Sequence, residues 1–153
     1  MLSPSLNWTR ANTADADSIL SLMRAFYAEE GLTFREDRAR RALLDLLTSP
    51  ELGAAFLLQD DKLHLGYFLV TLGFSAEFDG RFALLDELYL LPEARGLGAG
   101  RGAIACAEIW GRQQQVSTIR LELNPHNDKA RTIYTKAGFE DHDRRILTKW
   151  LEP

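Results

Sequence analysis

The chain has 153 residues, 46% of them hydrophobic, and a formal net charge of −4. That length supports one domain with a substantial core, and the acidic balance excludes a basic nucleic-acid-binding face while mildly favouring a cationic partner. A single cysteine, Cys106, rules out an internal disulfide framework and any multi-cysteine metal site. No apolar run approaches the ~20 residues that span a bilayer, so no membrane association is expected. Nor does a basic segment precede an apolar core at the N-terminus, so neither a signal peptide nor export is expected, and a reducing cytoplasm fits best.

Residues 6–10 read as a short strand. Thr13 is expected to N-cap the first helix, with Asp15 and Asp17 near its positive end. Ile19, Met23, Phe26 and Tyr27 then recur at helical spacing until Gly31 ends it. A second helix is predicted over 35–47, with Leu43, Leu44 and Leu47 on one face and Pro50 as its stop. Strands over 54–59 and 63–74, joined at Asp60-Asp61, read as a hairpin. Asp79-Gly80 marks another tight turn. The strand over 82–91 is unusual, because Asp86 and Glu87 sit in an otherwise apolar run.

Pro92 closes that strand, and Arg95-Gly96-Leu97-Gly98-Ala99-Gly100-Arg101 opens a helix predicted to run to about residue 115. The three glycines leave no side chain over the backbone, so successive N–H groups can surround an anion. The unpaired donors and positive dipole end of the helix add to this, and the loop suits a pyrophosphate. A strand over 118–123 alternates Ile119, Leu121 and Leu123 inward. A helix over 127–137 places Ala130, Ile133, Tyr134 and Ala137 on one face, with Gly138 as its C-terminal cap. Residues 145–151 read as a last strand. The order β-α-α-β-β-β-α-β-α-β gives an α/β (α+β) fold, with a mixed, mostly antiparallel central sheet flanked by helices, in a single domain over 1–153.

Two motifs carry a resemblance. Arg95, Gly98 and Gly100 match the form Q/R-x-x-G-x-G/A. Asn127, Ala130, Tyr134, Gly138 and Phe139 match N-x-x-A-x-x-x-Y-x-x-x-G-F. With the element order, they make the chain resemble the GNAT superfamily of acyl-CoA N-acyltransferases over about residues 6–151. The resemblance implies an N-acetyltransferase that moves an acetyl group from acetyl-CoA to a primary amine by direct attack in a ternary complex. It places the pantetheine arm along the backbone of Leu88, Tyr89 and Leu90, and the pyrophosphate in the loop Arg95, Gly96, Leu97, Gly98, Ala99, Gly100 and Arg101. Asn127 and Ala130 belong to the cofactor site, and Tyr134 lies near the thioester sulfur. Leu97 departs from the pattern, since many members carry a basic residue there. The implied acceptor is a small-molecule amine or a protein amino group, and a homodimer is expected.

The chemistry needs a base for the ammonium proton and an acid for the leaving thiolate. Asp86 and Glu87 are the candidate bases. Being adjacent on a strand, they point to opposite faces unless a bulge intervenes, and Glu87 is preferred with Asp86 close behind. Tyr134 is the candidate acid, and the Leu88 N–H a candidate oxyanion donor. Tyr27, Glu29, Glu30 and Glu77 are candidates for the acceptor side, where carboxylates would draw a cationic amine.

Plainer readings stand beside these. Tyr134 falls on an apolar helix face, Asp86 and Glu87 could be a solvated edge pair, and Glu29 and Glu30 could end a solvated helix. His64, His126 and His142 lack ligand spacing, so no metal is expected. The run Gly98-Ala99-Gly100-Arg101-Gly102-Ala103 also fits G-x-G-x-x-A, with Glu122 downstream. Rossmann glycines follow their strand at once, however, and here residues 92–95 intervene. A non-catalytic acyl-CoA sensor or interaction module on the same fold is the alternative, and the presence of both the tyrosine and the acid pair favours an enzyme.

Overall fold

The structure, a computed structural model, describes residues 6–152. Its elements are β1 (Leu6–Arg10), α1 (Ala16–Glu29), α2 (Glu36–Thr48), β2 (Gly53–Asp60), β3 (Leu63–Ser75), β4 (Gly80–Leu90), α3 (Ala99–Gln113), β5 (Thr118–Leu121) and α4 (Asp128–Lys136). The chain divides into two compact units, 1–122 and 123–153. Among the described residues no helix is long and apolar enough to cross a membrane.

The first unit is built on one five-stranded sheet in the order β1-β2-β3-β4-β5. The first three pairings are antiparallel, and β4 pairs β5 in parallel, with α3 as the crossover. Strand alternation sorts the side chains by face. Ala55, Leu57, Tyr67 and Leu69 pack with Ile19, Leu20 and Met23 of α1 and Leu43 and Leu46 of α2. Their neighbours Ala54, Phe56, Phe68 and Val70 pack with Ala103, Ala107 and Trp110 of α3. Helices therefore cover both faces, and each fully buried Leu or Ile in these layers contributes roughly 1.5–3 kcal/mol.

Several sequence expectations change at this level. Asn12, not Thr13, caps the first helical turn. Its side chain accepts from the Ala14 N–H at 2.9 Å, and the Asp15 carboxylate accepts from the Asn12 N–H at 2.9 Å. On α2 the buried leucines are Leu43 and Leu46, with Leu47 partly buried against the same cluster, while Leu44 faces solvent, because the apolar stripe steps by three and four residues. Exposed ion pairs, Arg24–Glu36 at 2.6 Å and Arg40–Asp17 at 2.8 Å, link α1 to α2.

The second unit holds α4, whose N-cap Asn127 accepts from the Ala130 N–H at 3.0 Å. This accounts physically for an Asn and an Ala three positions apart at a helix start. Gly138, at φ +96°, follows the helix end as expected. Residues 145–151 form no strand. Ile146, Leu147, Trp150 and Leu151 are exposed, Leu147 at 92%, and an apolar, β-prone run becomes a strand only with a ladder partner.

Candidate active site

The site begins with a slip in the β3–β4 ladder. Val70 pairs with Leu85 and Leu69 with Glu87, so Asp86 is an extra residue opposite nothing. Ala83 and Leu85 face α3. Uninterrupted alternation would send residues 87 and 89 the same way. The bulge reverses the parity, and Glu87 and Tyr89 turn instead toward α1. The sheet thereby presents a carboxylate to an aromatic layer formed by Phe26, Tyr27, Phe34, Tyr67 and Tyr89.

Two phenols hold that carboxylate, one on each oxygen. Tyr27 of α1 donates to Glu87 Oε1 at 2.6 Å, and Tyr67 of β3 donates to Oε2 at 2.9 Å. Burial pushes the Glu87 carboxyl above its ordinary pKa. The two phenolic hydrogen bonds pull it down, Asp86 adds a further upward push, and the net shift is upward. Both phenols are raised, first by burial and then by Glu87, so they remain donors. Asp86 reaches solvent, yet desolvation by its surroundings still raises its carboxyl.

The β4–β5 ladder covers only residues 82–85 of β4. Beyond the bulge, β4 pairs with β3 alone among the described strands. Alternate backbone groups over 86–90 therefore turn toward an open edge. The loop follows directly. A short 3-10 turn, Pro92–Ala94, leads to Arg95, and Gly96 and Gly98 both take positive φ, +76° and +84°. Gly98 caps α3, and no acidic side chain occupies the first helical turn. A Cβ built on Gly96 or Gly100 would meet nothing within 4 Å. The Gly102 N–H bonds the Gly98 carbonyl at 3.0 Å, so the preceding N–H groups of the turn lack helical partners. These residues fit a phosphate-bearing group. The Trp8 indole anchors the turn by donating to the Ala99 carbonyl at 3.0 Å. Among the described residues no group of His, Cys, Asp and Glu is placed to hold a metal ion.

The acetyltransferase (GNAT) family model matches residues 17–139. This chain belongs to the GNAT acetyltransferase family. As a member it is an acyltransferase. An N-acetyltransferase of Bacillus subtilis (strain 168), YhfO, is 25% identical over 139 residues, covering 89% of this chain and 91% of that protein. Among solved structures, an integron cassette protein from the mobile metagenome of Cole Harbour Salt Marsh is 32% identical, with a TM-score of 0.85 over all of this chain and 94% of its own. The aminoglycoside N-acetyltransferase AAC(6')-Iy, in complex with CoA, shares the fold at 18% identity and a TM-score of 0.81, over 98% of this chain and 99% of its own.

Within this GNAT domain the sequence-predicted residues fall into separate groups. Tyr27, Asp86 and Glu87 come together. Glu29 does not stand free toward an acceptor, since Arg95 donates to both its oxygens at 2.8 Å and Tyr89 donates at 3.1 Å. Hydrogen bonding by Arg95 holds its carboxyl below the usual range. Glu30 is the exposed C-cap of α1. Glu77 lies in the turn before Gly80, at the other end of β4, and at about 3.3 Å per residue the stretch to Glu87 spans on the order of 20 Å. In the second unit the Asn127 side-chain oxygen caps its helix. Tyr134 packs edge-on against Phe139, with centroids 5.7 Å apart, and burial raises its phenol. Sequence reasoning missed Tyr67. In an apolar strand it reads as one more core aromatic, and its only distinguishing signal is a hydroxyl that must find a partner when buried.

Proposed function

We propose that the protein is an N-acetyltransferase that uses acetyl-CoA to acetylate a cationic primary amine, with Glu87 as the base. The observation that carries this reading is the Glu87 carboxylate, turned by the Asp86 bulge into an aromatic layer and fixed by two phenols. Backbone donors of the loop and of the first turn of α3, with Gly96 and Gly100 leaving room, take the donor's phosphates. The open edge of β4 at Leu88, Tyr89 and Leu90 takes the pantetheine arm, and Asn127 and Ala130 are assigned to donor binding by their motif alone. Aromatic faces beside two carboxylates favour a cation over an anion.

In the reaction Glu87 accepts the ammonium proton, directly or through water, and frees the nitrogen lone pair. The C–N bond forms as the C–S bond breaks. The Leu88 N–H stabilises charge on the carbonyl oxygen, the Tyr134 hydroxyl gives its proton to the departing sulfur, and the second proton shed by the acylated nitrogen passes through water to restore the Tyr134 phenol. A cytoplasmic homodimer completes the reading. A lone cysteine suits a reducing compartment, and the exposed Ile146, Leu147, Trp150 and Leu151 leave apolar surface of the kind a second chain covers.

The test is an acetyl-CoA turnover screen against cationic, neutral and anionic amines, read by release of free CoA thiol. A cationic amine should stand out, and Glu87→Gln should lower its turnover by roughly 10²–10⁴-fold. No thiol release above the water background, or full activity in Glu87→Gln, refutes the reading.

A further inference from the structure

Arg95 opens the glycine loop, yet its side chain turns away from it. Nη2 donates to both oxygens of Glu29, at 2.8 Å each, across 66 residues of sequence. Nε donates to the Leu90 carbonyl at 3.0 Å, at the end of β4. The guanidinium carbon lies 5.7 Å from the centre of the Tyr89 ring, whose hydroxyl donates to the same Glu29 carboxylate. One side chain thus ties the loop to the last turn of α1 and the last residue of β4.

The loop has reason to need such a tie. Gly96 and Gly98 both sit in the left-handed region, and glycines lose more backbone freedom on ordering than any other residue. N–H groups bind an anion well only when already aimed. A carboxylate beside an anion site is also an electrostatic cost. Glu29 is therefore out of place unless it does something else there.

We propose that Glu29 is a positioning residue for the phosphate-binding loop, bracing it through Arg95, and that Arg95 serves as a strut of that loop rather than as a phosphate ligand. This rests on the reading that residues 95–101 take the donor's phosphates. The sign of one measurement separates the two roles. If only charge mattered, removing the Glu29 carboxylate would tighten CoA binding. If Glu29 braces the loop, removing it weakens binding.

CoA binding by calorimetry on the full chain, at low and high salt, makes the comparison. Glu29→Gln and Arg95→Gln should each weaken binding by about three- to tenfold, the scale of one partly exposed charge-assisted contact. The double variant should be no worse than Arg95→Gln alone. Arg95→Lys keeps the charge but cannot reach Leu90 and Glu29 in the same fork, so it should behave as Arg95→Gln does. The salt dependence of log Kd should match wild type throughout, because no phosphate-neutralising cation has been lost. Unchanged or tighter binding in Glu29→Gln, wild-type affinity in Arg95→Lys, or a shallower salt slope in Arg95→Gln each overturns the inference while leaving the acetyltransferase reading intact. Failure of wild type to bind CoA at all overturns both.

Discussion

Tyr67→Phe keeps a buried ring and removes one hydroxyl. Tyr67 is 0% exposed, and its hydroxyl donates to Glu87 Oε2 at 2.9 Å, so the change leaves a half-buried carboxylate oxygen without that donor. A hydrogen bond to a charged group contributes about 1.5–3 kcal/mol, against roughly 1 kcal/mol for its neutral counterpart. The difference is on the order of 1 kcal/mol, which is about one pKa unit, upward, since the lost bond favours the ionised form. Burial already holds the Glu87 carboxyl above its unfolded value. The folded state therefore keeps its proton to higher pH than the unfolded state does. The associated stability is complete below the unfolded pKa of ~4.3 and is lost as pH rises through the folded pKa. Tyr67→Phe enlarges that loss at neutral pH and less so in acid. Thermal melts at pH 7.5 should show a variant destabilised by about 2 kcal/mol, or roughly 4–8 °C in a chain of this size, and the gap should narrow toward pH 4.5. With an acceptor in hand, the acid limb of kcat/KM should move up by about one unit. An equal gap at both pH values would mean that the hydroxyl supports packing and not the charge on Glu87, and the argument for a tuned base would fall.

Two further outcomes follow from the loop and from α4. Gly100→Val should leave the melting temperature nearly unchanged, because a Cβ there meets nothing within 4 Å, while CoA affinity in calorimetry drops at least tenfold; retained affinity would place the phosphates elsewhere. Gly98→Val is the poorer probe, since φ +84° makes any side chain there costly by roughly 1–2 kcal/mol regardless of ligand. Tyr134→Phe should lower turnover by about 10²–10⁴-fold with a much smaller change in the Michaelis constant for acetyl-CoA, and activity within a few-fold of wild type would assign the thiolate proton to water or another group.

Much of this protein is local and was legible in the residues themselves. Residue spacing and turn signals predict the nine regular elements over nearly their observed bounds, because each depends on a pattern within one segment. The glycines at 96, 98 and 100 read as a turn, and Gly96 and Gly98 do take the left-handed backbone that a residue without a Cβ adopts at little cost, which is again a local property. Motif spacing alone brought Asn127 and Tyr134 forward, and the cap made by Asn127 is again local.

What the tertiary structure decided was everything that depends on two segments at once. Alternation along β4 assigns faces only while the ladder keeps its register, and the register is a property of the β3–β4 pair. One unpaired residue, Asp86, was enough to send Glu87 to the opposite face from the one that Ala83 and Leu85 occupy. Tyr67 became a partner of Glu87 through the β3–β4 pairing, 20 residues apart, and Tyr27 only when α1 was laid on that face, across 60. Glu29 reads in the sequence as an acceptor-side carboxylate or the end of a solvated helix, and only the fold brings Arg95, 66 residues later, against it. Residues 145–151 had the composition of a strand, but a strand exists only by exchanging hydrogen bonds with another, and composition does not supply the neighbour.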